Sequence, residues 1–247
     1  KLKITVIQPL DTNIEEIIRM TNAADSDLVI WPEAVTVYDK NISTLVSDKV
    51  VIGGFFRQEK TNFYTSAINL KTGHYYDKRN LVPFGEFQPF GSLLTSLNNF
   101  FNIPNSNLSR GKSNQAKANW SALICWELVF NDTFTNRVKG TEYIIHMSND
   151  KWYGGSMPAQ HLKHAKSRAV ESNKWVVRST LDGISQIISP RYDESSEILK
   201  RGKKGSITHE IVLNDKDTFY IKYGDNPLLI ISVLSLILAF FSRKNEK

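Results

Sequence analysis

The chain has 247 residues, room for one large domain or two small ones, and its 41% hydrophobic and 23% charged side chains exclude a disordered polymer. Its 31 Lys and Arg against 25 Asp and Glu leave a net charge of +6 without a dense basic run interleaved with stacking aromatics. Nucleic acid is therefore excluded as a partner, whereas an anionic lipid surface suits the same excess. One cysteine, Cys125, excludes an internal disulfide. The chain begins at Lys1 without methionine or a secretory signal, which reads as a portion cut from something longer.

In chain order, Lys3–Ile7 and Leu28–Trp31 read as short buried strands, with an amphipathic helix near Asn13–Ala24 between them. Val50–Phe56 and Tyr64–Leu70 are strand-like, and Lys71-Thr72-Gly73-His74 makes a hairpin turn into Tyr75–Lys78. Between Phe84 and Phe101 the large apolar residues include Phe87, Phe90, Leu93, Leu94, Leu97 and Phe100, at helical spacing from Phe90 onward. This stripe predicts either a helix packed on the domain or an arm that touches lipid and keeps water from the site. Ser121–Cys125, Tyr143–Met147, Trp175–Ser179 and Ile184–Ile188 follow as strands, and Pro158–Ser172 as a helix. Strands interleaved with helices predict a layered α/β domain.

The end of the chain differs. Leu228–Phe241 carries no charge, with Asn226 and Pro227 suited to cap and open a helix and Arg243 and Lys244 directly after it. Its roughly 21 Å of helix is short of a ~30 Å hydrocarbon core, yet it lacks the polar face of a core helix. We therefore expect a membrane helix over 225–241 with a basic cytoplasmic tail over 242–247, and the domain of residues 1–224 on the outer side.

Three places carry chemistry. Glu33, in Trp31-Pro32-Glu33-Ala34, stands at the end of a buried strand, where α/β proteins build sites. The stretch Tyr76 to Glu86, with Lys78 and Pro83-Phe84-Gly85-Glu86, reads as a structured loop after a hairpin strand. Ala122-Leu123-Ile124-Cys125-Trp126-Glu127 ends a strand on the single cysteine, with a carboxylate two residues on. His146, His161 and His164 lack a third ligand of matching type, so no metal is expected and the histidines read as hydrogen-bonding groups. Gly53-Gly54 and Gly154-Gly155 sit in no phosphate-loop frame, so no cofactor is expected either.

Together these strings resemble the nitrilase, or carbon-nitrogen hydrolase, superfamily with its Glu–Lys–Cys triad. The fuller strings narrow the resemblance to the apolipoprotein N-acyltransferase family. They are Lys78-x-x-Leu81-Val82-Pro83-Phe84-Gly85-Glu86, Ser148-Asn149-Asp150-x-Trp152-Tyr153-Gly154, Gln160-His161, Arg168-Ala169-x-Glu171, Arg178-Ser179-Thr180 and Tyr223-Gly224-Asp225. Trp126 stands where that family usually has tyrosine, Thr65 where it usually has asparagine, and Leu181-Asp182-Gly183 departs from its usual run. The resemblance implies a four-layer α-β-β-α sandwich followed by one membrane helix, in a bacterial inner membrane with the catalytic domain on the periplasmic side. It also implies a bundle of membrane helices ahead of the catalytic domain. By the same resemblance Glu33 is the base, Lys78 the oxyanion cation and Cys125 the nucleophile, supported by Glu86, Glu127 and Trp126. The implied partners are a phospholipid acyl donor and a diacylglyceryl-modified lipoprotein acceptor. A small-substrate amidohydrolase with the same triad, and a binding-only domain, are the alternatives.

Overall fold

The computed structural model describes residues 1–46, 49–88, 107–112, 115 and 117–245, and the interleaved elements form two sheets. The first sheet contains β1 (Leu2–Gln8), β2 (Leu28–Ile30), β3 (Thr36–Val37), β4 (Val50–Glu59), β5 (Asn62–Asn69) and β6 (Tyr75–Asp77). The second contains β7 (Trp120–Ile124), β8 (Tyr143–Ser148), β9 (Val176–Thr180) and β10 (Gln186–Ile188). A final strand, β11 (Gly205–Ile211), returns to the first sheet and pairs antiparallel with β1.

Alternation along the strands decides the layering. Because successive side chains point to opposite faces, a strand apolar at every position must be covered on both sides. Ile4, Ile30, Ile52 and Ala67 from the first sheet meet Ala122, Ile124, Ile145, Met147 and Val177 from the second in a shared core. Their neighbours Ile7, Val29, Val51 and Ile68 point outward, onto a layer holding α1 (Ile14–Asn22) and α2 (Ile42–Leu45). On the far side, Leu123, Ile144, Val176 and Ile188 pack under α3 (Asn131–Val138), α4 (Met157–Ser172) and α5 (Phe219–Tyr223). The result is a four-layer α-β-β-α sandwich. α1 begins where Asn13 accepts the Glu16 amide and buries Ile17, so the helix expected near Asn13–Ala24 is present and slightly shorter.

β1, β2 and β4 run parallel, as do β7, β8 and β9. β6 is two antiparallel steps from β4 and so runs in the same sense. The loops after β2, β6, β7 and β8 can therefore converge at one end. Polar ties join the sheets there: Ser179 donates to the carbonyls of Ile7 and Ile30, and Thr180 and Ser185 donate to the Gln8 side chain.

At the other extreme of the chain, Gly224 turns in the left-handed region (φ 57°) into α6 (Asn226–Asn245). Every large apolar side chain from Leu228 to Phe241 on it is 45–70% exposed. Among the described residues no helix is long and apolar enough to cross a membrane. The membrane helix expected over 225–241 thus forms as a helix, but its uncharged run stays short of a bilayer core. Of the apolar stripe between Phe84 and Phe101, Phe84 and Phe87 are described, with the Arg110 guanidinium 4.6 Å above the Phe87 ring. Phe90, Leu93, Leu94, Leu97, Phe100 and Phe101 lie outside the described residues.

Candidate active site

Glu33 sits in the loop after β2, in a backbone that presses against β4. Gly54 donates its amide to the Pro32 carbonyl at 3.1 Å and accepts from the Val35 amide at 2.9 Å. A methyl group at 54 would stand 2.6 Å from the Glu33 Cα and 2.9 Å from the Ala34 nitrogen, and closer still to the Pro32 oxygen. These are backbone atoms, which cannot swing aside. Glycine is therefore required at 54, a reason unconnected with phosphate. We expect Gly54→Ala to lower stability by about 1–3 kcal/mol and to displace Glu33, read as a lower thermal midpoint together with a slower reaction at Cys125.

Lys78 follows β6 and is fully buried. Its Nζ lies 3.0 Å from Glu33 Oε1 and 2.6 Å from Glu86 Oε1. The second oxygen of each carboxylate is also held: Glu33 Oε2 accepts the Asn149 amide at 2.9 Å, and Glu86 Oε2 accepts the Val82 amide at 2.8 Å. One cation thus serves two carboxylates. Burial pushes the Glu33 carboxyl above its ordinary range, against the pull of Lys78, and the Glu86 charge adds to the rise. Burial alone would discharge Lys78, but the charges of Glu33, Cys125 and Glu86 outweigh it and hold the ammonium well above its ordinary value.

Cys125 is not the last residue of its strand, as the sequence suggested, but the first of a 3-10 turn (Cys125–Val129). Its φ of 55° is in the left-handed region, costly for a residue with a Cβ. It is 4% exposed, and burial, followed by the Glu33 charge, pushes its thiol up to about 12, with Lys78 pulling the other way. The resting group is a protonated thiol that needs a base before it can attack.

Glu86 and Glu127 do different things. Glu86 touches Lys78. Glu127 does not; it is fully buried and accepts from the Tyr76 hydroxyl and the Arg79, Asn80 and Ile124 amides. It thereby ties the turn carrying Cys125 to the loop carrying Lys78. Trp126 sets its ring edge-on to His161, 4.9 Å between centroids. Asp150, Arg178, His146 and Tyr153 surround the turn as well; Asp150, Tyr153 and Arg178 belonged to strings noted in the sequence without a role of their own. His161 is buried with its Nδ1 2.9 Å from Asp150 Oδ1.

A buried carboxylate, ammonium and thiol brought together at the ends of β2, β6 and β7 can exchange a proton and stabilise negative charge on an oxygen. A model of the carbon-nitrogen hydrolase family matches residues 6–218, which take in all three groups. The chain belongs to the carbon-nitrogen hydrolase family. Among curated relatives of this hydrolase-family chain, the apolipoprotein N-acyltransferases of Wigglesworthia glossinidia brevipalpis and Vibrio parahaemolyticus are 30% and 31% identical to it. Those matches cover 94% and 88% of this chain but 52% and 48% of the relatives. The apolipoprotein N-acyltransferase of Haemophilus influenzae gives 30% identity, over 90% of this chain and 49% of the relative. The chain spans about half the length of the curated relatives it matches. A solved CN-hydrolase superfamily protein from Xanthomonas campestris, with an arsenic adduct in its active site, shares the carbon-nitrogen hydrolase fold. Its TM-score is 0.63 at 15% identity, covering 85% of this chain and 90% of that one.

Proposed function

We propose that the chain is the catalytic part of an N-acyltransferase that moves a fatty acyl group from a phospholipid to the α-amine of a diacylglyceryl-cysteine on a lipoprotein. The observation that carries this reading is the buried contact of Glu33 with Lys78 beside Cys125. Resemblance of the whole chain to apolipoprotein N-acyltransferases supports the choice of substrates.

In the first half-reaction Glu33 takes the Cys125 thiol proton and the sulfur attacks the ester carbonyl. Negative charge develops on the carbonyl oxygen, and the buried Lys78 ammonium lies ready to stabilise it. The ester C–O bond then breaks, the lysophospholipid oxygen leaves with the proton held by Glu33, and a thioester remains on Cys125. In the second, the acceptor amine attacks the thioester, Glu33 takes the amine proton, the C–S bond breaks and the proton returns to sulfur. Glu86 keeps Lys78 oriented while Glu33 changes charge, and Glu127 and Trp126 support the nucleophile's turn.

Both substrates are lipid-borne, and α6 supplies a matching anchor. It is apolar on all sides, and its Ser232 and Ser235 hydroxyls bond back to the carbonyls of Leu228 and Ile231, leaving no free polar group on the run. Phe219 and Tyr223, exposed and 4.7 Å apart, stand at its base, where aromatic rings suit a membrane interface. We infer that α6 is the final membrane segment and enters the bilayer from the outer, periplasmic side of a bacterial inner membrane. Arg243 and Lys244 follow the apolar run in the sequence, with charges suited to cytoplasmic lipid phosphates. Local thinning of the bilayer would meet its short length.

Intact-mass measurement tests this reading. After incubation of the full chain in vesicles with phosphatidylethanolamine, one acyl adduct is expected, absent from Cys125→Ala and discharged by a diacylglyceryl-cysteine peptide. An adduct that water alone discharges makes the protein a hydrolase, and no adduct at all removes Cys125 as the acyl carrier.

A further inference from the structure

Register in the second sheet puts two buried polar side chains side by side. His146 on β8 pairs with Arg178 on β9 in a parallel ladder, so both leave the sheet on the same face. Arg178 is fully buried. It donates from Nη2 to Asp150 Oδ2 at 2.6 Å, from Nε to the Ile184 carbonyl at 2.9 Å, and from Nη1 to His146 Nδ1 at 2.6 Å. Asp150 is held in turn by Ser148 Oγ at 2.5 Å and His161 Nδ1 at 2.9 Å.

The chemistry of a guanidinium settles the proton positions. Arginine has five donors and no acceptor, so His146 Nδ1 must accept and the ring hydrogen must lie on Nε2. His146 Nε2 is 3.0 Å from the carbonyl oxygen of Cys125, which therefore receives that hydrogen. The groups facing His146 are Arg178, Asp150, the His161 ring at 6.1 Å and Cys125 itself. Burial, and then the Arg178 charge, hold the imidazole well below its ordinary range.

We propose that His146 is a positioning residue for Cys125: a neutral imidazole, protonated on Nε2, that fixes the Cys125–Trp126 peptide, with Arg178 setting its tautomer. This rests on the reading of Cys125 as the nucleophile. A peptide unit is planar, so pinning the Cys125 carbonyl fixes the rotation that joins it to Cα and with it the direction in which the thiol leaves the turn. Glu127 Oε2 pins the Ile124 amide on the other flank. Between them the two buried side chains hold a residue whose φ of 55° would otherwise relax.

The test uses the full chain in detergent or vesicles and two variants. A glutamine amide reaches the place of His146 Nε2 and an asparagine amide that of Nδ1. His146→Gln is expected to acylate Cys125 within a few-fold of the parent protein, measured as the single-turnover burst from a p-nitrophenyl fatty-acid ester. His146→Asn, which keeps a polar group for Arg178 but none for the carbonyl, is expected to be slower by about tenfold. Nitrogen–proton correlation spectra of histidine-labelled parent protein should show one imidazole with a bare Nδ1 and a protonated Nε2, unchanged over roughly pH 5 to 8. Equal bursts in the two variants, or an Nδ1-protonated or titrating His146, would overturn the proposal. Absence of a burst in the parent protein itself sinks the nucleophile reading instead, and the spectrum still decides the tautomer.

Discussion

Lys78→Met should lose about 3–5 kcal/mol of stability, because it strands two carboxylates in a buried space built around one cation. Lys78 Nζ is the shared partner of Glu33 Oε1 and Glu86 Oε1, and it is wholly inaccessible to water. Without it one carboxyl must take up a proton or the loop from Lys78 to Glu86 must open. Chemical denaturation measures the first effect. The acyl adduct measures the second, since a variant that stays folded still lacks the cation beside the developing oxyanion. Lys78→Arg separates charge from shape: it should recover part of the stability and little of the rate, because a planar fork does not fit the space of an ammonium. A methionine variant with the denaturation midpoint of the parent protein would mean that the ion pairs contribute nothing to the fold.

Glu33→Gln should slow acylation by about 10²–10⁴-fold, the usual contribution of a positioned base. The substitution keeps the size of the side chain and an oxygen for the Asn149 amide, and Glu86 remains to hold Lys78. It also removes a negative charge that helps push the Cys125 thiol up to about 12. The thiol of the variant therefore ionises at lower pH than that of the parent protein. The two measurements should move in opposite senses: alkylation by a small neutral reagent sets in at lower pH, while acyl transfer near neutrality falls. If acylation and alkylation rose or fell together, Glu33 would act on the thiol only as a charge and not as a base.

Much of this site was legible before any coordinates, for identifiable reasons. Glu33 and Cys125 closely follow buried strands, and the apolar run at the end of each strand leaves them conspicuous. The layered α/β domain was legible from strands interleaved with helices, while the four layers followed from the family resemblance; β2, Leu28–Ile30, is buried at every position, as a strand covered on both sides must be. β11 escaped notice because it is a half-exposed antiparallel edge, with Ser206, Thr208 and Glu210 facing water. The short helix α3 was missed because Asn131–Val138 is mostly polar. The relay through His146 was hidden for another reason. Its members lie far apart in sequence, and only the β8–β9 register sets His146 beside Arg178. Nor does sequence pattern announce that a cysteine takes a positive φ, or that the amide of Asn149 closes on Glu33. Glu127 was seen as a supporting group, but three of its four partners are backbone amides, which no side-chain pattern can name.

The hydrogen bonds from Ser179, Thr180 and Ser185 to the other sheet have a bearing on alignment. Glu33 and Lys78 follow strands of one sheet and Cys125 a strand of the other, so the three groups meet across the seam between the sheets. Apolar contact resists separation of two layers but has no preferred register, and it tolerates slip of a fraction of an ångström. Hydrogen bonds from Ser179 to the Ile7 and Ile30 carbonyls do have one. They act as dowels between the layers, so the alignment of Glu33 and Lys78 with Cys125 depends on side chains that touch none of the three.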